Sequence, residues 1–231
     1  MDRTDPLHEK RLNRNEDTRM KETERIKNLC ETALFIAIVF LGVFIIKFPG
    51  PFGYMHIGDS MIFLSVLMLG GKSGAVAGGI GAALADIVSG YTIWAVPTLI
   101  CNAAMALVMG AMIKHHAFGL NGRVLWIISA VAGGLTQGVG YVIFWYFLFG
   151  KAAAIAAVPG LAFQAVSGII IAFVISEALQ KTSLRRHFIY STDGKTAGLK
   201  SKCKKQMLKI KNIRKIRKYK GAAVSAEWRT K

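Results

Sequence analysis

A stretch of 150 residues with almost no charge divides this sequence. Residues 31–180 contain five Lys or Arg and four Asp or Glu, whereas the whole chain of 231 residues has a formal net charge of +17. The excess lies after residue 180, where there are seventeen Lys or Arg and two Asp or Glu. A nearly uncharged middle between polar ends is the composition of an integral membrane protein. We therefore divide the chain into a charged N-terminal segment (1–30), a membrane domain (31–180) and a basic tail (181–231) that we expect to be disordered.

Six apolar segments are long enough to be considered as membrane helices, which need about 20 residues to cross a bilayer. The second is short and is flanked by Asp59 and Lys72, and the segment 49–54 after the first is predicted to be a loop because it contains two prolines. The sequence therefore predicts an all-α integral membrane bundle of six transmembrane helices. The predicted spans are about 32–48, 56–70, 73–89, 94–113, 124–149 and 152–179.

The basic residues near the spans predict the topology. The two charged ends fall on one side of the membrane, together with Lys72, Lys114 and Arg123, whereas Lys47 and Lys151 fall on the other. Lys and Arg accumulate on the cytoplasmic side of short loops. We therefore expect a multi-pass protein of the cell membrane with both termini in the cytoplasm, and with the loops after spans one, three and five facing outward.

Small residues recur every four positions in the third span and predict close helix packing. Lipid supplies no hydrophobic force between helices, so small residues that let backbones approach are favoured at their interfaces. We expect the same role for glycines in spans five and six. The positions are Gly70, Gly74, Gly78 and Ala82, then Gly71, Ala75, Gly79 and Ala83, and later Gly134, Gly138, Gly160, Gly168 and Ala172.

Two carboxylates lie inside the apolar middle and are the first candidates for a binding site. Asp59 and Asp86 are the only acidic residues between Glu31 and Glu177 in the sequence. An ionisable group at membrane depth is a functional-site hypothesis, because burying it without a partner is costly. Both are predicted near the outer side. The alternative is structural: each could pair with Lys47 or Lys151, or cap a helix.

Other polar groups within the spans extend this hypothesis. Gln137 and Tyr141 are four residues apart and share a helix face, and Asn102 lies one span after Asp86. An apolar pocket with a few placed polar groups suits a small planar ligand. The candidates are Asp86, Asp59, Asn102, Gln137 and Tyr141, with Trp94 among the aromatic residues that could stack on a flat ring; Gln164 and Trp145 are further polar or amphipathic residues in the spans.

The sequence contains no pattern that indicates catalysis, a metal or a cofactor. The three cysteines are far apart, and His115 and His116 lie in a predicted inner loop. Gly79 and Gly81 begin only a partial dinucleotide-binding motif, and the acidic residue follows too soon. A membrane hydrolase would need a nucleophile, a base and an orienting group in fixed geometry, and these are lacking. We therefore expect a protein that is not an enzyme.

Residues 54–110 carry a family resemblance. "HIGD" (56–59), "GGIGAALAD" (78–86), "SGY" (89–91) and "PTLI" (97–100) together resemble the substrate-binding S components of energy-coupling factor (ECF) transporters, in the riboflavin, hydroxymethylpyrimidine or pyridoxine-type branch. The resemblance implies a subunit that captures a B vitamin or its precursor at the outer face. A lysine is common in this branch where the chain has Asn102, which puts the identity of the ligand in question.

The same resemblance implies partners. S components work with a transmembrane coupling subunit and two ATPase subunits, and an Ala-x-x-x-Ala strip in their first helix contacts the coupling subunit. Here that strip is Ala33 and Ala37. A stand-alone secondary transporter or channel is the alternative, which charged midplane residues in discontinuous helices would favour.

The basic tail predicts one further contact. Ile210, Ile213 and Ile216 are spaced by three and form no continuous helical stripe. Polybasic segments beside a membrane span are attracted to anionic lipid headgroups. Charge alone would also permit nucleic-acid binding, but the position next to a span favours lipid.

Overall fold

The computed structural model describes residues 6–45, 47–50, 53–115, 122–182, 188 and 190. Over these residues the chain forms six helices and one two-stranded antiparallel hairpin. The elements are α1 (Pro6–Phe44), β1 (Lys47–Gly50), β2 (Gly53–His56), α2 (Gly58–Leu69), α3 (Gly71–Val88), α4 (Thr92–Lys114), α5 (Gly122–Phe149) and α6 (Lys151–Gln180).

The six predicted helices are confirmed, but not all of them are long enough to cross a membrane. Within the described residues, four segments are long and apolar enough to cross a membrane: Arg25–Phe44 in α1, and the helices α4, α5 and α6. α2 is apolar but has 12 residues, which corresponds to about 18 Å of helix against a hydrocarbon core of about 30 Å. The second predicted span is therefore a short helix inside the bundle.

The predicted proline loop after the first span is instead part of a hairpin. β1 and β2 pair in antiparallel register, with Pro49 opposite Tyr54 and Gly50 opposite Gly53. The first helix consequently ends at Phe44, earlier than the predicted residue 48. Proline has no N–H to donate to a ladder and is tolerated at the edge of a sheet, and each strand of a two-stranded ribbon has a free edge.

α1 begins far before the membrane segment. The helix runs for 39 residues from Pro6, about 58 Å of helix, and its apolar window covers only its last 20 residues. The described part of the charged N-terminal segment is thus a helical continuation of the first span.

α2 lies at the centre of the bundle. It packs against α1, α3, α4 and α6, and its residues from Gly58 to Leu67 are buried except Met61. Helix α3 approaches closely because its packing face lacks side chains. A Cβ on Gly78 would come within 2.6 Å of Ile62, and one on Gly81 within 2.7 Å of the Ile36 carbonyl oxygen.

The predicted packing role of the glycines therefore holds for α3 but not everywhere. Gly71 of α3 meets Gly110 of α4, where a Cβ on Gly71 would lie 2.9 Å from the Gly110 Cα. Gly168 of α6 packs against Asp59, with 3.1 Å between its would-be Cβ and the Asp59 Cβ. At Gly138 and Gly160, by contrast, a Cβ would have no neighbouring atoms within 4 Å among the described residues, so the prediction is wrong for these two residues.

The chain after α6 returns to the bundle. Phe188 is 1% exposed and belongs to the main apolar core, and the Tyr190 N–H donates to the Leu67 carbonyl oxygen at 3.0 Å. The bundle thus includes residues beyond the predicted boundary at 180. Residues 191–231, and with them most of the predicted basic tail, lie outside the described part of the chain.

Candidate functional site: a buried polar cluster at the start of α2

Asp59 is the centre of a buried polar cluster. It lies in the first turn of α2 and is completely buried. Gln137 of α5 donates from Nε2 to Oδ1 of Asp59 at 3.0 Å, and Gln164 of α6 donates from Nε2 to Oδ2 at 2.9 Å. A buried carboxylate without donors would be strongly disfavoured, so the two amides stabilise Asp59 where it lies.

Asn102 of α4 joins the same cluster. Gln137 Nε2 also donates to Asn102 Oδ1 at 2.7 Å, so both hydrogens of that amide are used. Asn102 is completely buried, and its Nδ2 has no hydrogen-bond partner among the residues that the structure describes. An unpartnered buried donor costs free energy, and it is a place where an added acceptor would bind favourably.

The cluster lies deep in the bundle. Asn102 is ten residues after the start of α4, Gln137 twelve before the end of α5, and Gln164 thirteen after the start of α6. At 1.5 Å per residue these side chains lie about 15–20 Å from the helix ends on the hairpin side. That is about half the thickness of a hydrocarbon core.

The start of α2 is consequently recessed below the ends of its neighbours. The contact between Gly71 and Gly110 places the other end of α2 only four residues from the end of α4. The missing length of the short helix therefore lies on the hairpin side. The outer halves of α4, α5 and α6 extend beyond the start of α2, and we call the region that they surround the recess. The polar cluster lies at the inner limit of this region, its floor, where Asp59 and Asn102 are completely buried.

An aromatic cluster lies above the floor, toward the hairpin side. Tyr141 is buried and donates its hydroxyl to Thr98 Oγ1 at 3.1 Å. The Trp94 ring packs on Tyr141 with centroids 6.2 Å apart, and it contacts Trp145 at 4.8 Å and Phe149 at 6.0 Å. Rings at these separations pack favourably with one another, and they offer flat surfaces to a planar ligand.

Asp86 lies in the last turn of α3 and is not one of the hydrogen-bond partners of the Asp59 cluster. It is 5% exposed, and its carbonyl oxygen accepts the Tyr91 N–H at 2.8 Å at the end of α3. Asp86 lies two residues before the end of α3, whereas Asp59 is the second residue of α2. The two predicted acidic residues therefore lie at different depths on the hairpin side of the bundle.

The structure brings most of the predicted site residues together. Gln137 bonds to both Asp59 and Asn102, and Tyr141 and Trp94 belong to the neighbouring aromatic cluster. Sequence reasoning named Gln164 only as a polar residue and did not name Thr98 as a candidate. Thr98 lies four residues before Asn102, so the spacing of one helical turn would have placed it on the same face.

Among the described residues, the hydrogen-bond donors to the Asp59 carboxylate are two amides rather than a lysine. Both of its oxygens accept from glutamine amides, and Lys151 is exposed. The ion pairs seen among the described residues are Lys27 with Glu31 and Arg123 with Glu177. The side chain of Lys47 lies outside the described part of the chain.

The predicted alanine strip lies on the surface of α1. Ala33 and Ala37 are both exposed, whereas Phe35 and Val39 on the opposite face are buried in the core. A helix face with small side chains one turn apart permits close approach of another helix.

Comparison with known proteins decides the family. The family model described as "ECF-type riboflavin transporter, S component" matches residues 23–181. The chain belongs to this family. It is therefore a multi-pass membrane protein and the substrate-binding subunit of an ECF transporter rather than an enzyme, and it works with a small-molecule ligand and the ECF module.

Two further similarities extend the comparison. A solved structure described as "Structure and mechanism of the S component of a bacterial ECF transporter" matches with a TM-score of 0.58 and 18% identity, over 68% of this chain and 97% of that one. This likeness shows the S-component fold. A Pyrococcus woesei protein described as "Uncharacterized protein in gap 3'region" is 38% identical over 136 residues, which are 59% of this chain and 88% of that protein.

Proposed function

We propose that this S component captures riboflavin or a closely related flavin-like heterocycle in the recess above α2. The proposal rests on one observation: a buried polar cluster lies below the aromatic cluster. The polar cluster consists of Asp59, Gln137, Asn102 and Gln164. An apolar recess with a few convergent polar groups is the usual form of a small-molecule site. The family to which the chain belongs is described by riboflavin transport.

The chemistry of the recess matches a planar ring that carries carbonyl groups. Asn102 Nδ2 is a donor without a partner among the described residues, and a ligand carbonyl would satisfy it. Asp59 holds the amide of Gln137 in place and supplies negative charge at the floor. Trp94 and Tyr141 would pack against the ring, and Asp86 would bind donors of the ligand nearer the opening.

The test is a comparison of three ligands on the purified chain. Riboflavin, pyridoxine and hydroxymethylpyrimidine are titrated separately in detergent by calorimetry, and the small molecule carried through purification is identified by mass spectrometry. Tight binding of riboflavin with weak binding of the two smaller rings is expected. Preferential binding of either smaller ring would overturn the flavin assignment.

We also propose that the recess opens to the outside and that both termini lie in the cytoplasm. The basis is the distribution of Lys72, Lys114 and Arg123 against Lys47 and Lys151 between the two ends of the bundle. Capture from the outside then precedes ATP-driven release inward. A self-contained transporter or channel would need no ECF module, so the family assignment favours the coupled mechanism.

Ala33 and Ala37 are the proposed contact surface for the transmembrane coupling subunit. Both alanines are exposed on α1. Their small side chains would let the backbone of a partner helix approach closely, which a bulky residue would prevent. Co-purification of the chain with the coupling subunit and the two ATPases, with and without bulky substitutions at both alanines, tests the surface.

The basic tail is proposed to bind anionic lipid. Each Lys or Arg near an anionic membrane surface contributes about 1 kcal/mol, and residues 181–231 carry seventeen of them. Vesicles with and without an anionic phospholipid, titrated with a peptide covering residues 191–231, test this contact.

A further inference from the structure

The inner end of α2 is joined to the chain that follows α6. The last carbonyl groups of a helix have no partner within the helix. One of them, the Leu67 carbonyl oxygen, accepts the backbone N–H of Tyr190 at 3.0 Å. The neighbouring Val66 carbonyl oxygen accepts the Gly70 N–H at the C-cap. The end of α2 that lies opposite Asp59 is therefore held in part by a residue from outside the six helices.

Phe188 strengthens this junction. Its side chain is 1% exposed and belongs to the same apolar core as Phe63, Val66 and Leu67 of α2. Burying a phenylalanine side chain removes apolar surface from water and stabilises its position, so the segment is held by more than one backbone hydrogen bond. We call Phe188 and Tyr190 together the C-terminal anchor.

α2 can transmit the position of the anchor to the binding site. Asp59 and Leu67 are eight residues apart on one continuous helix, about 12 Å along its axis. Close-packed interiors transmit displacements rather than absorb them. Because α2 does not span the membrane, its axial position is set by contacts within the protein, and the anchor is one of those contacts.

We propose that the C-terminal anchor positions α2, and with it Asp59, so that the ligand is retained in the recess. Phe188 and Tyr190 are positioning residues: they act on the ligand through α2 and not by touching it. This inference rests on the proposed function, since it assumes that a ligand binds above Asp59. Loosening the anchor increases local opening of α2 and speeds ligand release.

The experiment uses the full chain in detergent with two disruptive variants and two matched controls. Phe188→Ala removes buried side chain and Phe188→Leu keeps an apolar side chain, whereas Tyr190→Pro deletes the donated N–H and Tyr190→Phe keeps it. Hydrogen exchange of the α2 amides is measured without ligand, because exchange reports local opening. Riboflavin dissociation is followed by its fluorescence.

Phe188→Ala and Tyr190→Pro are expected to raise exchange in residues 58–67 at least tenfold and to speed riboflavin dissociation at least tenfold. Phe188→Leu and Tyr190→Phe should remain within about threefold of the unaltered protein in both measurements. Exchange in α4 should be unchanged in all four variants. Unchanged α2 exchange in both disruptive variants would overturn the inference, and so would an equal rise in all six helices, which would indicate general destabilisation.

Failure of the two proposals is distinguishable. If the unaltered protein does not bind riboflavin, the ligand assignment is wrong, while the exchange measurement still tests whether the anchor positions α2. If riboflavin binds and its dissociation is the same in all variants although α2 exchange rises, the anchor holds the helix without controlling the ligand, and the inference is wrong.

Discussion

The Gln164 amide nitrogen lies 2.9 Å from Asp59 Oδ2, although the two residues are 105 positions apart in the chain. This hydrogen bond joins the middle of α6 to the first turn of the short helix α2. Gly168 lies one turn further along α6 and lets the backbone approach Asp59. The position of the central carboxylate is therefore set by α6 as well as by α2 itself.

Asp59→Asn is expected to weaken riboflavin binding by about 10- to 100-fold. The substitution removes the charge and points an NH2 group at one of the two glutamine donors. A hydrogen bond to a charged group contributes about 1.5–3 kcal/mol, and 1.4 kcal/mol corresponds to about tenfold in affinity. Isothermal titration measures the effect. Ser65→Ala is the matched control in α2, since the Ser65 hydroxyl bonds within the helix to the Ile62 carbonyl oxygen.

Asn102→Asp tests the unpartnered donor directly. The variant can keep the acceptor that Gln137 uses, but it replaces Nδ2 with an acceptor oxygen that would repel a ligand carbonyl. We expect at least a hundredfold loss of riboflavin affinity in a protein that still folds. Cys101→Ala is the control, since Cys101 faces Gly140 instead. Affinity equal to that of the unaltered protein would place the ligand carbonyl elsewhere.

Asp86→Asn is expected to weaken binding by about tenfold to a hundredfold if Asp86 accepts hydrogen bonds from the ligand, each of which contributes about 1.5–3 kcal/mol. A structural pair with Lys47 or Lys151 would predict a different pattern: lower melting temperature without ligand, and the same loss in Lys47→Gln or Lys151→Gln. Titration beside a melting curve separates the two. An unchanged affinity would show that Asp86 has a structural role and does not contact the ligand.

Bulky residues on the alanine strip should uncouple binding from uptake. Ala33→Trp with Ala37→Trp is expected to abolish vitamin uptake by cells that contain the ECF module, while riboflavin binding to the purified chain stays within about twofold. Leu34→Trp, at a neighbouring exposed position that already carries a large side chain, is the control and should transport. Normal uptake by the double variant would contradict the assignment of this face.

Cysteine labelling tests the proposed topology. Gly150 is a poor site for an introduced cysteine because its φ is +85°, a conformation that favours glycine. Ala152→Cys, at an exposed position two residues later, should react with an impermeant thiol reagent from outside in a chain whose native cysteines are replaced by serine. His115→Cys should react only after the membrane is opened. The reverse pattern would invert the topology.

The residues of the candidate site that could be predicted from the sequence are the strongly polar ones, which are rare in membrane helices. Asp59, Asn102 and Gln137 are costly inside a bilayer unless they are paired, so their presence in apolar segments was informative without any structure. Thr98 carries no such signal, because a threonine in a helix can bond to a backbone carbonyl within its own helix. Its contact with Tyr141 depends on how α4 and α5 face each other.

Three features of the fold could not be predicted because they depend on tertiary contacts. "FPGPFGY" contains two prolines and is typical of a loop, and only the pairing of its two halves turns it into a hairpin. Phe188 stands in the stretch "LRRHFIY", where the few apolar residues beside the basic ones form no repeated helical or strand pattern. Glycine spacing predicted packing equally for Gly78 and Gly138, but helix rotation places Gly138 where none of the described residues approaches it.

Because α2 has only 12 residues, the layer of protein that a solute would have to cross is thinner at α2 than along the longer helices. Helix α4 has 23 residues, about 34 Å, whereas only ten residues of α2, about 15 Å, lie between Asp59 and the inner end of that helix. A ligand bound on that floor, as proposed, would lie about halfway across the membrane before ATP is used. The ATP-driven step would then have to move the ligand only across the remaining half of the membrane.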